Sequence, residues 1–301
     1  MTEFRSGFIA IVGRPNAGKS TLVNALLGQK VAAVSPRPQT TRRRQLGILT
    51  RADAQLIFVD TPGIHNPRHK LGEYLNQEAE EALDGVDVIL YMVDVSTKPT
   101  EDDTRIASLL EDLPRRTPLV LAANKIDLIP AEALTPRLAA YQALVKREAK
   151  TIAISASRGD GLSELVNLLT SLCPIRPPEY EEDQITDLYE REIAADLIRE
   201  AALLKLRDEV PHSIAVRVDE FKERDNGMVY IAATIFVERD SQKGIVIGEG
   251  GKMLKAIGSA ARKEIESMGG HKAFLELRVK VEKDWRNNEN VLKRLGYKIK
   301  R

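Results

Sequence analysis

The first half of the chain is punctuated by apolar runs of strand length at 8–12, 56–59, 86–95, 119–123 and 151–154. They show little polar alternation, as expected of strands buried on both faces. Asp87 and Asp94 interrupt the longest, 86–95, so it is a core strand and not a membrane span. Helical stretches such as 161–172 lie between the runs. Strands alternating with helices predict a parallel sheet covered on both faces.

Beyond residue 189 the rhythm changes. Ile193, Leu197 and Leu204 stand at helical spacing within 190–209. Ile214, Val216 and Val218 alternate with polar residues, and 229–237 is a second strand. Leu275, Leu277, Val279 and Val281 alternate with Glu276, Arg278, Lys280 and Glu282, which marks a third. Two helices, 242–247 and 252–268, fill the gap between the last two strands. The predicted order is α-β-β-α-α-β. Three prolines among residues 174–178 end the helix before them, and an acidic stretch, 179–183, follows. The predicted domains are 1–174, a linker at 175–188, and 189–301 with a C-terminal helix.

At 301 residues the length suits two domains, each able to bury a core. The single cysteine, Cys173, excludes an intrachain disulfide and fits a reducing compartment. Residues 1–7 are short and polar and carry no secretory signal pattern. Net charge is +1 but uneven: from 211 to 301, 19 Lys and Arg face 13 Asp and Glu. A basic C-terminal part suits a polyanion such as nucleic acid, or is only a solvated face. The same two readings hold for Arg42, Arg43 and Arg44.

The motifs carry the chemistry. Gly13-Arg14-Pro15-Asn16-Ala17-Gly18-Lys19-Ser20 matches G-x-x-x-x-G-K-S between a strand and a helix. Its backbone N–H groups are expected to converge on phosphates, with Lys19 on the β/γ-phosphates and the Ser20 hydroxyl on Mg²⁺. Asp60-Thr61-Pro62-Gly63 closes the strand 56–59. Asp60 would hold Mg²⁺ through water and the Gly63 N–H would meet the γ-phosphate. Asn124-Lys125-Ile126-Asp127 follows the run 119–123. The Asp127 carboxylate can accept from guanine N1–H and the 2-amino group, which adenine lacks. Ser155-Ala156 would place backbone at the guanine edge. Between the first two motifs, Gln39-Thr40-Thr41-Arg42 offers a threonine hydroxyl to Mg²⁺ only when the γ-phosphate is present. Ile64 stands where many GTPases carry a glutamine that orients the attacking water, so intrinsic hydrolysis is expected to be slow.

In the second domain Gly248-Glu249-Gly250-Gly251 joins the two helices, with Ile247 before it and Lys252 after it. G-x-x-G in that order of elements is the KH arrangement: the glycines admit an RNA backbone and the following helix offers its N-terminus to phosphate. The alternative is a plain helix–helix turn. The predicted fold is an α/β P-loop GTPase domain followed by a smaller α+β KH (type II) RNA-binding domain.

With these motifs the chain resembles the Era family of bacterial GTPases over nearly its whole length, including 246–251 (V-I-G-E-G-G). The resemblance implies GTP hydrolysis to GDP and a role in small ribosomal subunit assembly, with single-stranded rRNA bound near its 3′ end. It implies a cytoplasmic protein with some peripheral membrane association, expected to be a monomer. It favours Thr41 over Thr40 as the switch threonine. It also makes Asn16 a K⁺ ligand where an arginine finger would otherwise sit; the alternative is a loop asparagine at an unusual backbone angle. Ala17 stands where the family usually has valine, and Ser157 where other GTPases often have lysine. The expected catalytic set is Lys19, Gly63 and Asn16, with no general base. Two other readings are a GTPase of a tRNA-modifying branch and a non-catalytic, nucleotide-dependent adaptor.

Overall fold

The computed structural model describes residues 3–37, 39–224 and 227–297. The last residues of the second predicted domain, 298–301, and Met1 and Thr2 of the N-terminal segment lie outside the described residues. The chain divides into two compact units. The first is Met1–Ala32, Thr41–Pro67 and Leu75–Asp187; the second is Ala33–Thr40, Arg68–Tyr74 and Leu188–Arg301.

Up to Leu172 the elements are β1 (Arg5–Val12), α1 (Lys19–Leu27), β2 (Gln45–Thr50), β3 (Ala54–Asp60), α2 (Lys70–Glu81), β4 (Val88–Asp94), α3 (Glu101–Glu111), β5 (Leu119–Asn124), α4 (Ala131–Gln142), β6 (Lys150–Ala153) and α5 (Leu162–Leu172). The six strands form one sheet in the order β2-β3-β1-β4-β5-β6. Ile9 and Ile11 of β1 join one core with Leu22, Val23, Leu165 and Leu169. Ala10 and Val12 join the other, with Ile106, Leu110 and Tyr141. Both faces of β1 are therefore buried, which is why its sequence is apolar throughout.

The sheet is mixed, not wholly parallel as expected. β2 runs antiparallel to β3, because the connection 51–53 is too short for a parallel crossover. Residues 175–187, read from the sequence as a linker, pack as part of the first unit. Arg176 pairs with Asp87 at 2.7 Å. Further along, the Ile185 carbonyl accepts from Ile48 N–H at 2.9 Å, and Asp187 Oδ1 accepts from Leu46 N–H at 2.8 Å. The prolines rule out a helix but leave an extended segment that lies along β2 and β3.

The second unit contains α6 (Glu190–Lys205), β7 (Ala215–Glu223), β8 (Val229–Val237), α7 (Asp240–Ile247), α8 (Lys252–Gly269), β9 (Ala273–Val281) and α9 (Glu289–Arg294). This is the predicted order, with the short C-terminal helix. α6 ends four residues before the expected 209, because Leu206 turns extended and Asp208 takes φ +53° before Pro211. β7 pairs antiparallel with β8, with a bulge between Val218 and Glu220. β8 pairs parallel with β9. Ile193, Leu197 and Ala201 of α6 meet Ile257, Ala261 and Ile265 of α8 in one core over the sheet. Trp285, which sequence reading passed over, is fully buried and donates to the Ser213 carbonyl at 2.8 Å.

Candidate functional site

In the first unit four of the predicted motifs lie at the C-terminal ends of strands. The loop 13–18 follows β1, Asp60 ends β3, Asn124 ends β5, and Ser155 and Ala156 follow β6. In open α/β sheets this is the edge where ligands bind. The loop's shape needs its glycines. A Cβ on Gly13 would lie 2.4 Å from the Met92 carbonyl, and one on Gly18 (φ +102°) would lie 2.4 Å from the Asn124 amide. A Cβ on Gly63 would lie 2.5 Å from Pro15 N, so Gly63 is packed against the phosphate loop.

Lys19 is buried with Nζ 3.1 Å from the Gly13 carbonyl and 3.2 Å from that of Arg14. Burial lowers its pKa from 10.5 to about 8, against the opposing pull of the Asp60 charge. Burial raises the Asp60 carboxyl above its usual range, although Lys19 and the hydroxyls around it favour the anion. Asp60 Oδ2 accepts from Ser20 Oγ at 2.7 Å, from Gln45 Nε2 at 3.2 Å and from Thr41 Oγ1 at 3.5 Å. Asp60 Oδ1 is buried and has no partner among the described residues. Ser20 Oγ and Thr41 Oγ1 are 2.7 Å apart. Two hydroxyls, of Ser20 and Thr41, beside a carboxylate whose other oxygen is unsatisfied suit a hard cation such as Mg²⁺. Thr40 instead turns its hydroxyl to the Arg37 carbonyl at 2.8 Å, so the structure places Thr41, not Thr40, with this group.

Asn124 braces three loops: its Nδ2 donates to the Ala17 carbonyl at 2.8 Å and its Oδ1 accepts from Ala156 N–H at 2.9 Å. Asp127 is half-buried, and its Oδ1 accepts from Ser155 Oγ at 2.6 Å. The two ends of the predicted base site are thereby brought together. Lys125 adopts φ +71°, and Ile126 packs at the edge of the second core.

Several predicted residues turn their side chains into the protein. Ala17 is buried in the first core, and Ile64, 1% exposed, in the second; Pro62 is also buried. Thr61 donates to the Ile11 carbonyl at 2.7 Å. Arg14 faces Asp94 and Asp103. Asn16 has φ +63° and is exposed, which realises the unusual backbone angle expected of a loop asparagine. Arg42 is buried, not solvated. Sequence reading missed Gln45, the first residue of β2, which no motif marks.

In the second unit Gly248 has φ +71°, and a Cβ there would lie 2.7 Å from Met253. Gly250 (φ +57°) and Gly251 (φ +81°) face open space. Glu249 and Lys252 are exposed, 3.7 Å apart. Beside the loop runs a groove of about 400 Å³ lined by Gly251, Leu254, Lys255, Gly258, Ser259, Arg262, Leu275 and Leu277. Of the residues predicted here, Gly251 lines the groove, while Ile247, Gly248, Glu249, Gly250 and Lys252 do not. Of the missed ones, Leu254, Lys255, Gly258, Ser259 and Arg262 follow helical spacing along α8, while Leu275 and Leu277 alternate on β9, and both signals were present in the sequence. Cys173 is buried, and burial pushes its thiol up to about 11. It is an inert core residue and gives no support to redox chemistry.

A phosphate loop, an Asp-x-x-Gly and an Asn-Lys-x-Asp around one sheet edge, with a KH fold on the same chain, define a GTPase joined to a KH domain. Residues 8–125 match the family described as 50S ribosome-binding GTPase, and 209–286 match the KH domain. GTPase Era of Ruminiclostridium cellulolyticum is 48% identical, covering 98% of each chain. GTPase Era of Staphylococcus haemolyticus is 45% identical over 99% of this chain and 98% of its own. Among solved structures, Era in complex with MgGDPNP and nucleotides 1506–1542 of 16S ribosomal RNA superposes with a TM-score of 0.92. It is 40% identical over 98% of this chain and 100% of its own. A substituted Aquifex aeolicus Era bound to GDP and AlF4⁻ gives 0.91 at 39% identity over the same shares. The chain belongs to the Era family and is a GTPase. No helix among the described residues is long and apolar enough to cross a membrane.

Proposed function

We propose that the chain is a GTP-driven switch that binds single-stranded RNA of the small ribosomal subunit through its KH domain during subunit assembly. The observation that carries this reading is the groove beside the Gly248 loop, with Lys255 and Arg262 along an apolar floor of Leu254, Leu275 and Leu277. That pairing of cations with apolar surface suits a sugar-phosphate backbone and unstacked bases. The binding of 16S ribosomal RNA by a 40%-identical relative supports it.

In this reading the N–H groups of 13–20 cradle the phosphates and Lys19 neutralises their charge. Ser20 and Thr41 hold Mg²⁺ directly and Asp60 holds it through water; the ion spreads the negative charge of the transferring phosphoryl group. Gly63 N–H meets the γ-phosphate. Asp127 pairs with guanine, and Lys125, Ile126, Ser155 and Ala156 complete the base site. Water attacks the γ-phosphorus, the bond to the β-phosphate oxygen breaks, and GDP and phosphate leave. Catalysis is positioning and charge neutralisation. Ile64, sealed in the core, orients no water. Asn16 is the residue we assign to K⁺, at the exposed rim of the phosphate loop. The reducing setting that suits lone Cys173 supports a cytoplasmic site of action.

The test is anisotropy with a short single-stranded RNA from the 3′ end of small-subunit rRNA. Gly250→Asp should bind it at least about tenfold more weakly, since a carboxylate would meet phosphate at a position where the fold leaves open space. Aspartate tolerates the left-handed backbone of Gly250. Unchanged affinity in the folded variant would reduce the loop to a structural turn.

A further inference from the structure

Asp94, the last residue of β4, belongs to none of the motifs and yet touches two of them. Its Oδ2 lies 2.6 Å from Lys125 Nζ and 3.5 Å from Arg14 Nη2. Its Oδ1 accepts from Ser96 N–H at 3.0 Å and from Ser96 Oγ at 2.5 Å. Its carbonyl accepts from Tyr141 Oη at 2.8 Å. The side chain is 9% exposed, Arg14 14% and Lys125 27%. Asp94 also sits opposite Asn124 in the parallel register of β4 and β5.

The charges explain the arrangement. Arg14 comes from the phosphate loop and Lys125 from the base loop, and the two cations converge on one carboxylate. Arg14 is also held by Thr97 Oγ1, through the same Nη2, and by Asp103 Oδ2, 3.8 Å from its Nε, so it cannot turn away without giving up those contacts. Burial alone would raise the Asp94 pKa; the Lys125 and Ser96 hydrogen bonds and the Lys125 charge reverse this and hold it below the usual carboxylate range. The carboxylate is therefore ionised at neutral pH. Without it, two cations from two loops would share a poorly solvated site with Asp103 as the remaining anion beside them.

We propose that Asp94 is a positioning residue for nucleotide binding: a shared counter-ion that fixes the phosphate loop and the base loop relative to each other through Arg14 and Lys125. This rests on the base-site reading of Lys125 given above. It adds a second brace to the one formed by Asn124 and Ala17. The first is a neutral hydrogen bond at the loop's C-terminal end; the second is ionic and grips its N-terminal end.

The test is a double-mutant cycle on GDP affinity in the full-length protein, with thermal melts to confirm folding. Asp94→Asn, close in shape but uncharged, should weaken GDP by about 10- to 100-fold, the range for losing a hydrogen bond to a charged group. Lys125→Met removes the ammonium and keeps an unbranched stem. In the Lys125→Met background the Asp94→Asn loss should shrink by well over twofold, because the partner it acts through is gone. A residue that only supports the fold would cost the same in both backgrounds, within about twofold. That additive result, or wild-type affinity in folded Asp94→Asn, overturns the proposal. Should Asp94→Asn fail to fold, the cycle of Arg14→Gln with Lys125→Met leaves Asp94 in place. Coupling between those two supports the shared counter-ion, and additivity overturns it. If Lys125→Met alone binds GDP as the wild type does, the base-site reading fails instead, so the two failures are distinct.

Discussion

Gln55 holds both main-chain edges of Tyr180: its side-chain oxygen accepts from Tyr180 N–H at 3.0 Å and its side-chain nitrogen donates to the Tyr180 carbonyl at 2.9 Å. The same oxygen takes Glu179 N–H at 2.8 Å. Gln55 is fully buried. One polar side chain on β3 thus does for the segment 175–187 what a neighbouring strand would do, and ties it to the sheet.

Gln55→Leu should therefore destabilise the protein. It keeps a similar volume but leaves two N–H groups and a carbonyl without their partner, at about 1–3 kcal/mol for each group that water cannot reach. Denaturant unfolding should show a lower midpoint. An unchanged midpoint would mean that the segment is held by its other contacts alone.

Asp127→Asn should exchange guanine preference for xanthine. The amide presents a donor where the carboxylate accepted, and Ser155 Oγ, now 2.6 Å from Asp127 Oδ1, can still bond the retained oxygen. GTP affinity should fall at least about tenfold, while xanthosine triphosphate gains. Competition titration of the two nucleotides reads the change, and equal GTP affinity in variant and wild type would contradict it.

Hydrolysis should be faster in KCl than in NaCl at matched ionic strength. Asn16→Gly tests the ligand, because glycine accepts the φ of +63° without strain and removes only the amide. The variant should lose the difference between the salts. Its rate in KCl should drop by roughly 100-fold if the ion supplies charge where it develops. Equal rates for the wild type in the two salts would leave completion of the site to a protein or RNA partner.

Nucleotide affinity should fall with rising pH above about 8, the value to which burial lowers Lys19. The sign follows from linkage. Folding depresses this lysine from 10.5 to about 8, so its charge costs stability fully below the folded value, and the cost fades as pH rises towards the unfolded one. Phosphate binding favours the charged form and raises the pKa again. Above the folded value, binding must take up a proton and weakens by up to about tenfold per pH unit. Calorimetry of GDP binding without Mg²⁺, in buffers of different ionisation enthalpy, should show proton uptake at pH 9 and little at pH 7. No uptake at pH 9 would mean that Lys19 stays charged in the free protein.

The motifs were legible because their chemistry is local. A phosphate loop needs glycines at fixed spacing so that backbone can approach, and a guanine site needs one carboxylate at a strand end. Periodicity likewise revealed β7 and β9 and the helices of the KH fold, since one-sided burial writes itself into the sequence at a period of 2 or 3.6. The sequence alone thus determined two domains, a GTP site and the glycine loop beside α8.

What remained depended on pairs far apart in the chain. Whether β2 runs with or against β3 turned on the length of one connection. The packing of 175–187 on the sheet depended on Gln55, whose partner lies 125 residues away. Asp94 reads in the sequence as an interruption in an apolar strand; only the fold brings Arg14 and Lys125 to the same oxygen of its carboxylate. Tertiary structure decided these points because a buried polar group is defined by whichever partner reaches it, and reach is a property of the packed chain and not of spacing along it.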